Sequence, residues 1–529
     1  MTSGTAETSE GLGEDVQARA EAPKVGRRKA VKPTDLRLVR VFLLILAALL
    51  TGYAFLGRGF AHLGVPPVYL GEFVLGLGLV ATGFAVVRGR LQISRSWLAI
   101  LLIGFMVLGL VRTVPYLSTY GVDALRDGTL WGYAVFALML FALLDRDWVL
   151  RLFRLYGYMA VAFLVWGPIA YFLFTNYTVQ TTPGTFVFTS SLIPNAPGSN
   201  VPILFFKAQD MAVQTAGAIA FLVIGTPLFS RVRDFMWRFA AALPASWMVY
   251  TTGTVTRGGL AAVGTSVGLL GLVAARTRNW VPFLAGVVVM AAIIFSGVSL
   301  PAPSQVALGP TPSAVVGTPN PSASATPSAS ATPIASATPV PTPTPSPTPL
   351  PSWAQPRPVS AKQWWENLYS IFFGSGNAQL EGTKQYRLAW YGEIIGYTFQ
   401  GRYFWDGQGF GVNLADSDGV QTTPDHSLRE VPNSHLAVLA RMGVPGFLLW
   451  ILLQGAFALL LLRALILFRR AGDKQLAAVT AWVGVFWTAM MVNSFFDPYI
   501  ESPQGGIWFW SLFGLGLVLM RLVPRRQAE

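Results

Sequence analysis

Runs of roughly sixteen or more apolar residues recur along most of this chain, separated by short segments rich in Gly, Pro and Arg. A helix needs about 20 residues to cross about 30 Å of hydrocarbon. The runs predict spans at Val41 to Gly57, Val65 to Val87, Trp97 to Val111, Thr129 to Leu144, Leu155 to Phe174 and Met211 to Phe229. They continue at Met236 to Thr252, Gly258 to Ala275, Trp280 to Leu300, Gly446 to Phe468, Gln475 to Phe495 and Gly506 to Met520. The alternation of a β-barrel is missing. The pattern therefore predicts an all-α polytopic membrane protein of about twelve transmembrane helices, with a large extracytoplasmic loop before the tenth.

Between the ninth and tenth spans the pattern changes, across about 145 residues from Leu300 to Gly446. Residues 301–351 hold 15 prolines and no charged residue, and the hexad Ser322-Ala-Ser-Ala-Thr-Pro327 repeats at Ser328–Pro333 and near Ile334–Pro339. Such a segment has nothing to bury and is expected to be an extended tether, either a plain spacer or an O-glycosylated one. The run Lys362-Gln-Trp-Trp-Glu-Asn-Leu-Tyr-Ser-Ile-Phe-Phe373 then predicts an aromatic-rich helix on the membrane surface. Tyr386 to Tyr397 predicts a second helix, with Arg387, Trp390, Tyr391 and Ile394 on one side, followed by the Gly-rich turn Asp406–Asn413. The expected organisation is a basic tail (1–40), nine membrane helices (41–300), a linker (301–352), an extracytoplasmic loop (353–445), three helices (446–521) and a short tail (522–529).

Composition agrees with a bilayer environment: 53% of the 529 residues are hydrophobic, 12% are charged, and mean hydropathy is +0.50. The net charge of +13 could suggest nucleic acid, but its placement points to topology. With the amino terminus inside, 26 of the 38 lysines and arginines fall in tails and loops on the cytoplasmic side, and five in the short outer loops. That is the positive-inside distribution, with both termini cytoplasmic. The polar first forty residues predict no cleaved signal peptide. Without cysteine the chain has no disulfide, thiolate nucleophile or Cys-bound zinc.

Candidate chemistry is sparse. Of three histidines, His426 and His435 lie late in the large loop, and a helix capped by Asn433 would place His435 in its first turn, as a proton-transfer group or simply as a polar interfacial residue. Arg257 stands alone among Gly and Thr at an outer boundary, where an arginine is costly unless paired or used, and interfacial snorkelling is the alternative. Lys207 and Asp210 open a span, a helix cap being the alternative reading of Asp210, and Arg387 is an equal contender with Lys207 for a second cation. Arg126 with Asp127, and Asp497 with Glu501, read as outer-surface pairs serving either an acceptor sugar or structure. Glu72 is expected to face a bundle interior or to cap its helix, and Arg441 to pack or snorkel.

The run Asn433-Ser-His435 through Gly443, Gly446 and Trp450 resembles the O-antigen ligase and polymerase superfamily of bacterial membrane proteins. The family pattern is a His-Asn or His-Ser pair, nine residues, Gly, two residues and a small residue. Here Pro432 stands at the expected histidine position and His435 is the natural substitute. Thr254-Val-Thr-Arg-Gly-Gly259, Tyr386-Arg-Leu-Ala-Trp390 and Asn493-Ser-Phe-Phe-Asp-Pro498 resemble further family elements in the right order. The resemblance implies transfer of a glycan from an undecaprenyl diphosphate carrier in the inner membrane to a glycan or lipid acceptor hydroxyl, with no metal, nucleotide or nucleic acid. It further implies His435 as base or orienting group, Arg257 with Arg387 or Lys207 on the diphosphate, and Asp210, Asn433, Arg126, Asp127 and Asp497 near substrate. A lipid-linked glycan flippase and a non-catalytic envelope-assembly relative are the alternatives.

Overall fold

The computed structural model describes residues 32–65, 68–92, 96–174, 177–182, 185–189, 196, 201–228, 231–296, 360–374, 378–423 and 425–524. The Pro-rich linker with its hexad repeats, most of the basic tail, and most of the loop from Leu192 to Pro202 lie outside the described residues.

The chain is predominantly helical. We label its longer helices α1 (Arg37–Leu56), α2 (Leu70–Val87), α3 (Trp97–Thr113), α4 (Ala134–Leu143), α5 (Arg146–Phe174), α6 (Ala208–Ile224) and α7 (Arg231–Val255). There follow α8 (Arg257–Ala274), α9 (Trp280–Phe295), α10 (Ala361–Phe372), α11 (Ala378–Phe399), α12 (Ser434–Arg470), α13 (Lys474–Asn493) and α14 (Pro503–Leu522). Among the described residues, eight helices are long and apolar enough to cross a membrane: α1, α2, α3, α5, α8, α12, α13 and α14. The remaining four expected positions hold the shorter apolar helices α4, α6 and α9, and the more polar α7. The expectation of helices alone needs one addition, two small antiparallel sheets: Gly64–Val65 with Val68–Tyr69, and Tyr177–Thr182 with Thr185–Thr189 and Phe206–Lys207.

Helix α6 lies at the centre, with nearly every residue buried by α7, α8, α5 and α13. Its small residues Ala212, Ala216, Gly217 and Ala220 let neighbouring backbones approach, as small residues do between membrane helices. Helix α14 is the second interior element, packed along α4 and α13. Many exposed Leu and Val side chains lie on the long apolar helices, for example Leu79 and Val80 on α2 and Leu459 on α12. Glu72, in the first turn of α2, accepts from the Tyr69 backbone N–H at 3.0 Å and the Tyr133 hydroxyl at 2.6 Å, so both the cap and the interior expectation hold.

The ends of the bundle differ in chemistry. At one, Arg521 donates to the carbonyls of Gln92, Phe141 and Leu144, and Arg146 pairs with Asp473 at 2.8 Å. At the other lie Arg58, Asp127, Lys207, Asp210, Arg257, Asn433, Asp497 and Glu501, together with α10 and α11. The candidate chemistry is gathered at this second end.

Candidate functional site

Helix α12 is two helices joined at a break. Gly443 has φ +66°, and a side chain there would collide with the Phe404 carbonyl oxygen and the Gly407 nitrogen. The Gly-rich turn docks into this break: Val444 N–H donates to Phe404 O at 2.8 Å and Gln408 N–H to Ala440 O at 2.7 Å. The glycine of the motif thus serves backbone docking, for which only glycine has the conformation and the room.

Asn433 caps this helix as expected, its side-chain oxygen accepting from the backbone N–H groups of His435 and Leu436 at 3.0 and 3.2 Å. His435 is corrected. It is 4% exposed, its Nε2 lies 3.1 Å from Met491 O, and its Nδ1 accepts from the Trp450 indole N–H at 3.1 Å. Both ring nitrogens are occupied inside the protein, and the Phe495 ring packs against the imidazole, tilted by 50° with 4.2 Å between ring centres. It joins α12 to α13. His435→Ala is expected to cost about 2–4 kcal/mol, since it leaves the Trp450 N–H without its acceptor and opens a void. Unfolding in detergent measures this; any activity, per folded molecule, should keep its pH profile.

Lys207 and Asp210 are brought together with Asp497, but inside a closed network. Arg58, from the short helix Arg58–Ala61, bonds both Asp210 oxygens at 2.8 and 3.2 Å and Asp497 at 2.5 Å, while Lys207 bonds Asp497 at 3.0 Å. Gln504 also donates to Asp210. Burial alone would raise the Asp497 carboxyl, but Lys207 and Arg58 hold it below the ordinary carboxylate range. Two cations and two carboxylates cancel, so neither Lys207 nor Asp210 retains charge for a ligand. Asp210 is not a cap. Arg58 was missed in the sequence, although a lone arginine between Gly57 and Gly59 at a span end carried the same signal as Arg257.

The two expected surface pairs are not formed. Asp127 is buried and faces Arg441 at 2.8 Å and the Gly411 N–H at 2.7 Å, whereas Arg126 is exposed with no ion pair among the described residues. Arg441 does not snorkel: it is 1% exposed and also holds Glu430 at 3.1 and 3.2 Å. Glu501 is away from Asp497, set against Glu430, with no hydrogen-bond donor for either carboxyl oxygen. Burial and the neighbouring Glu430 raise its carboxyl well above the ordinary range, so Glu501 keeps its proton. A raised carboxyl favours the fold at low pH and withdraws that stability as pH rises toward the raised value. The melting temperature should therefore fall as pH rises above the ordinary glutamate range, and Glu501→Gln should flatten that fall. An unchanged slope in the variant would place the titration elsewhere.

Arg257 and Arg387 do meet, in a cleft of ≈ 190 Å³ at the ends of α6 and α8. Thr256 caps α8, its hydroxyl accepting from Gly259 N–H, and sets Arg257 at the first helical position. Gly258 abuts Phe496, where a Cβ would lie 2.5 Å from the Phe496 Cβ, and this closeness forms the cleft floor. Arg257 donates to Leu380 O at 3.3 Å and Arg387 to Phe496 O at 3.0 Å, each leaving most of its N–H groups uncommitted, including the buried Arg387 Nε. The two guanidinium groups repel one another, and Glu381 is the acid nearest Arg257. Lys384, one turn before Arg387, adds a third cation that sequence reading passed over. Polar neighbours are Gln209, Thr383 and Tyr391, and the Tyr391 hydroxyl donates to Pro432 O at 2.9 Å. No carboxylate or imidazole lines the cleft among the described residues.

No protein-family model matches the chain, and no curated protein matches it.

Proposed function

We propose that the chain is a membrane glycan ligase or polymerase, moving an undecaprenyl-diphosphate-linked glycan to an acceptor hydroxyl outside the cytoplasmic membrane. The observation that carries this reading is the convergence of Arg257 on α8 with Lys384 and Arg387 on α11, more than a hundred residues later in sequence, on one cleft at the end of apolar helices. Three cations without a lining carboxylate suit a ligand with several negative charges. Arginine forks hold two phosphate oxygens each and stay charged in a partly dry site. The topology proposed with it is twelve spans, both termini cytoplasmic, with the cleft on the opposite side, as the distribution of Lys and Arg favours.

Catalysis then rests on the leaving group. Arg257, Arg387 and Lys384 neutralise charge on the departing diphosphate, while Tyr391 and Gln209 orient the sugar and the acceptor. His435 contributes through the fold, and the proton of the acceptor hydroxyl leaves on the departing diphosphate, whose oxygens can take it. Purified protein given undecaprenyl-diphosphate-linked glycan and an acceptor should release undecaprenyl diphosphate.

A second reading, a flippase or carrier of the same lipid-linked glycan, is favoured by the absence of a lining carboxylate or imidazole. It predicts movement of donor across vesicles without release of undecaprenyl diphosphate, which separates the two.

A further inference from the structure

Helix α10 is built inside out for water. Gln363, Asn367 and Ser370, spaced four and three apart, are buried, while Trp365, Tyr369 and Phe372 on the opposite face are 62%, 50% and 74% exposed. The inward polar groups have partners: Asn367 donates to the carbonyls of Gly253 and Thr254 at 2.9 and 2.7 Å, and Gln363 donates to Asn367 at 3.2 Å. Those carbonyls belong to the last turn of α7, so α10 lies across the end of α7 and the beginning of α8, a helix apolar and long enough to span. Helix α11 has a matching stripe, with Leu388, Ile395 and Phe399 exposed by about half at spacings of seven and four. Ile371 of α10 and Leu388 of α11 both line the cationic cleft.

We propose that α10 and the apolar stripe of α11 lie in the bilayer interface and open the Arg257–Arg387 cleft sideways into the membrane, so that its anionic ligand arrives as a lipid from the bilayer. A helix in water turns polar residues outward, and a contiguous exposed aromatic face marks a surface that meets something apolar. Trp and Tyr, outnumbering aliphatic residues on this face, belong at the headgroup level. Lysine and arginine in the cleft behind them then stand at the depth of lipid phosphates. The inference rests on the cleft as a binding site but not on glycan transfer.

Because the chain has no cysteine, single-cysteine variants can be spin-labelled in the whole protein, reconstituted in phospholipid nanodiscs. Trp365→Cys, Tyr369→Cys, Phe372→Cys and Ile395→Cys would be compared with Leu452→Cys, on the outward face of α12, and Asp425→Cys, in an exposed loop. Oxygen concentrates in lipid and a nickel chelate in water. The four test positions should show an oxygen-to-nickel accessibility ratio roughly tenfold above that of position 425 and approaching that of position 452. Nickel accessibility equal to position 425 would overturn the proposal. So would protection from both reagents, which means a second copy or another part of this chain covers the face. Each label sits on an exposed side chain, and a melting temperature within a few degrees of the parent certifies the fold. Since the measurement needs no turnover, a chain without transfer activity can still pass it, and an active one can fail it.

Discussion

Arg257→Ala should lower release of undecaprenyl diphosphate by about 10²- to 10³-fold, the usual cost of removing one preorganised donor from a developing anion. The same substitution should leave the melting temperature of the ligand-free protein unchanged or higher. Arg257 donates one 3.3 Å bond to Leu380 O and faces Arg387 and Lys384 across the cleft, so removing it relieves repulsion at little structural cost. What should disappear is the stabilisation produced by adding the diphosphate lipid. Arg257→Lys restores a point charge without the two-pronged geometry and should recover only part of the loss. If Arg257→Ala transferred normally, the cleft would not be the diphosphate site; if it unfolded the protein, Arg257 would be a structural cation.

That Arg257 would meet a second cation was legible, with Arg387 and Lys207 as equal contenders, because both signals were local. A lone arginine at a span boundary, between a capping Thr256 and Gly258, is an unusual expense in a membrane protein. Eight of the expected span positions were legible for the same reason, since a bilayer imposes hydrophobic length on every crossing helix. Helix α7 shows the limit: its hydropathy is low, and it packs against α6 and α9.

Side-chain partners were not legible. His435 drew notice as a rare histidine in a capped first turn, but its two partners, Met491 and Trp450, lie 56 and 15 residues away. The Met491 contact comes from the packing of α13 on α12, and the Trp450 contact from within α12, beyond its break at Gly443. Asp127 and Arg126 are neighbours in sequence yet point to different environments, because consecutive helical residues do not share a face. The partners of Asp210 and Asp497 came from Arg58 at the end of α1, 152 and 439 residues away. Long-range ion pairing leaves no periodicity for sequence reading to detect.

The largest loss of stability should come from Arg441→Ala. The guanidinium is 1% exposed and holds Asp127 at 2.8 Å, Glu430 at 3.1 Å and the Gly409 carbonyl at 3.2 Å, tying the Gly-rich turn, the segment before α12 and the short helix Val122–Asp127 together. Removing one member of a buried pair costs about 3–5 kcal/mol, chiefly because the remaining charge has no water to replace its partner. Here two carboxylates are stranded, beside a third carboxyl in Glu501. The variant should therefore be recovered in low yield from membranes, with a melting temperature far below the parent. The cause can be separated from lost packing: adding Asp127→Asn and Glu430→Gln to Arg441→Met removes the stranded charges and restores side-chain volume. That triple variant should be clearly more stable than Arg441→Ala, and more stable than Arg441→Met alone. If the triple and single methionine variants melted together, packing and not charge would be the contribution of Arg441. If all three resembled the parent, the cluster would be solvated in the membrane, and the fold would not depend on it.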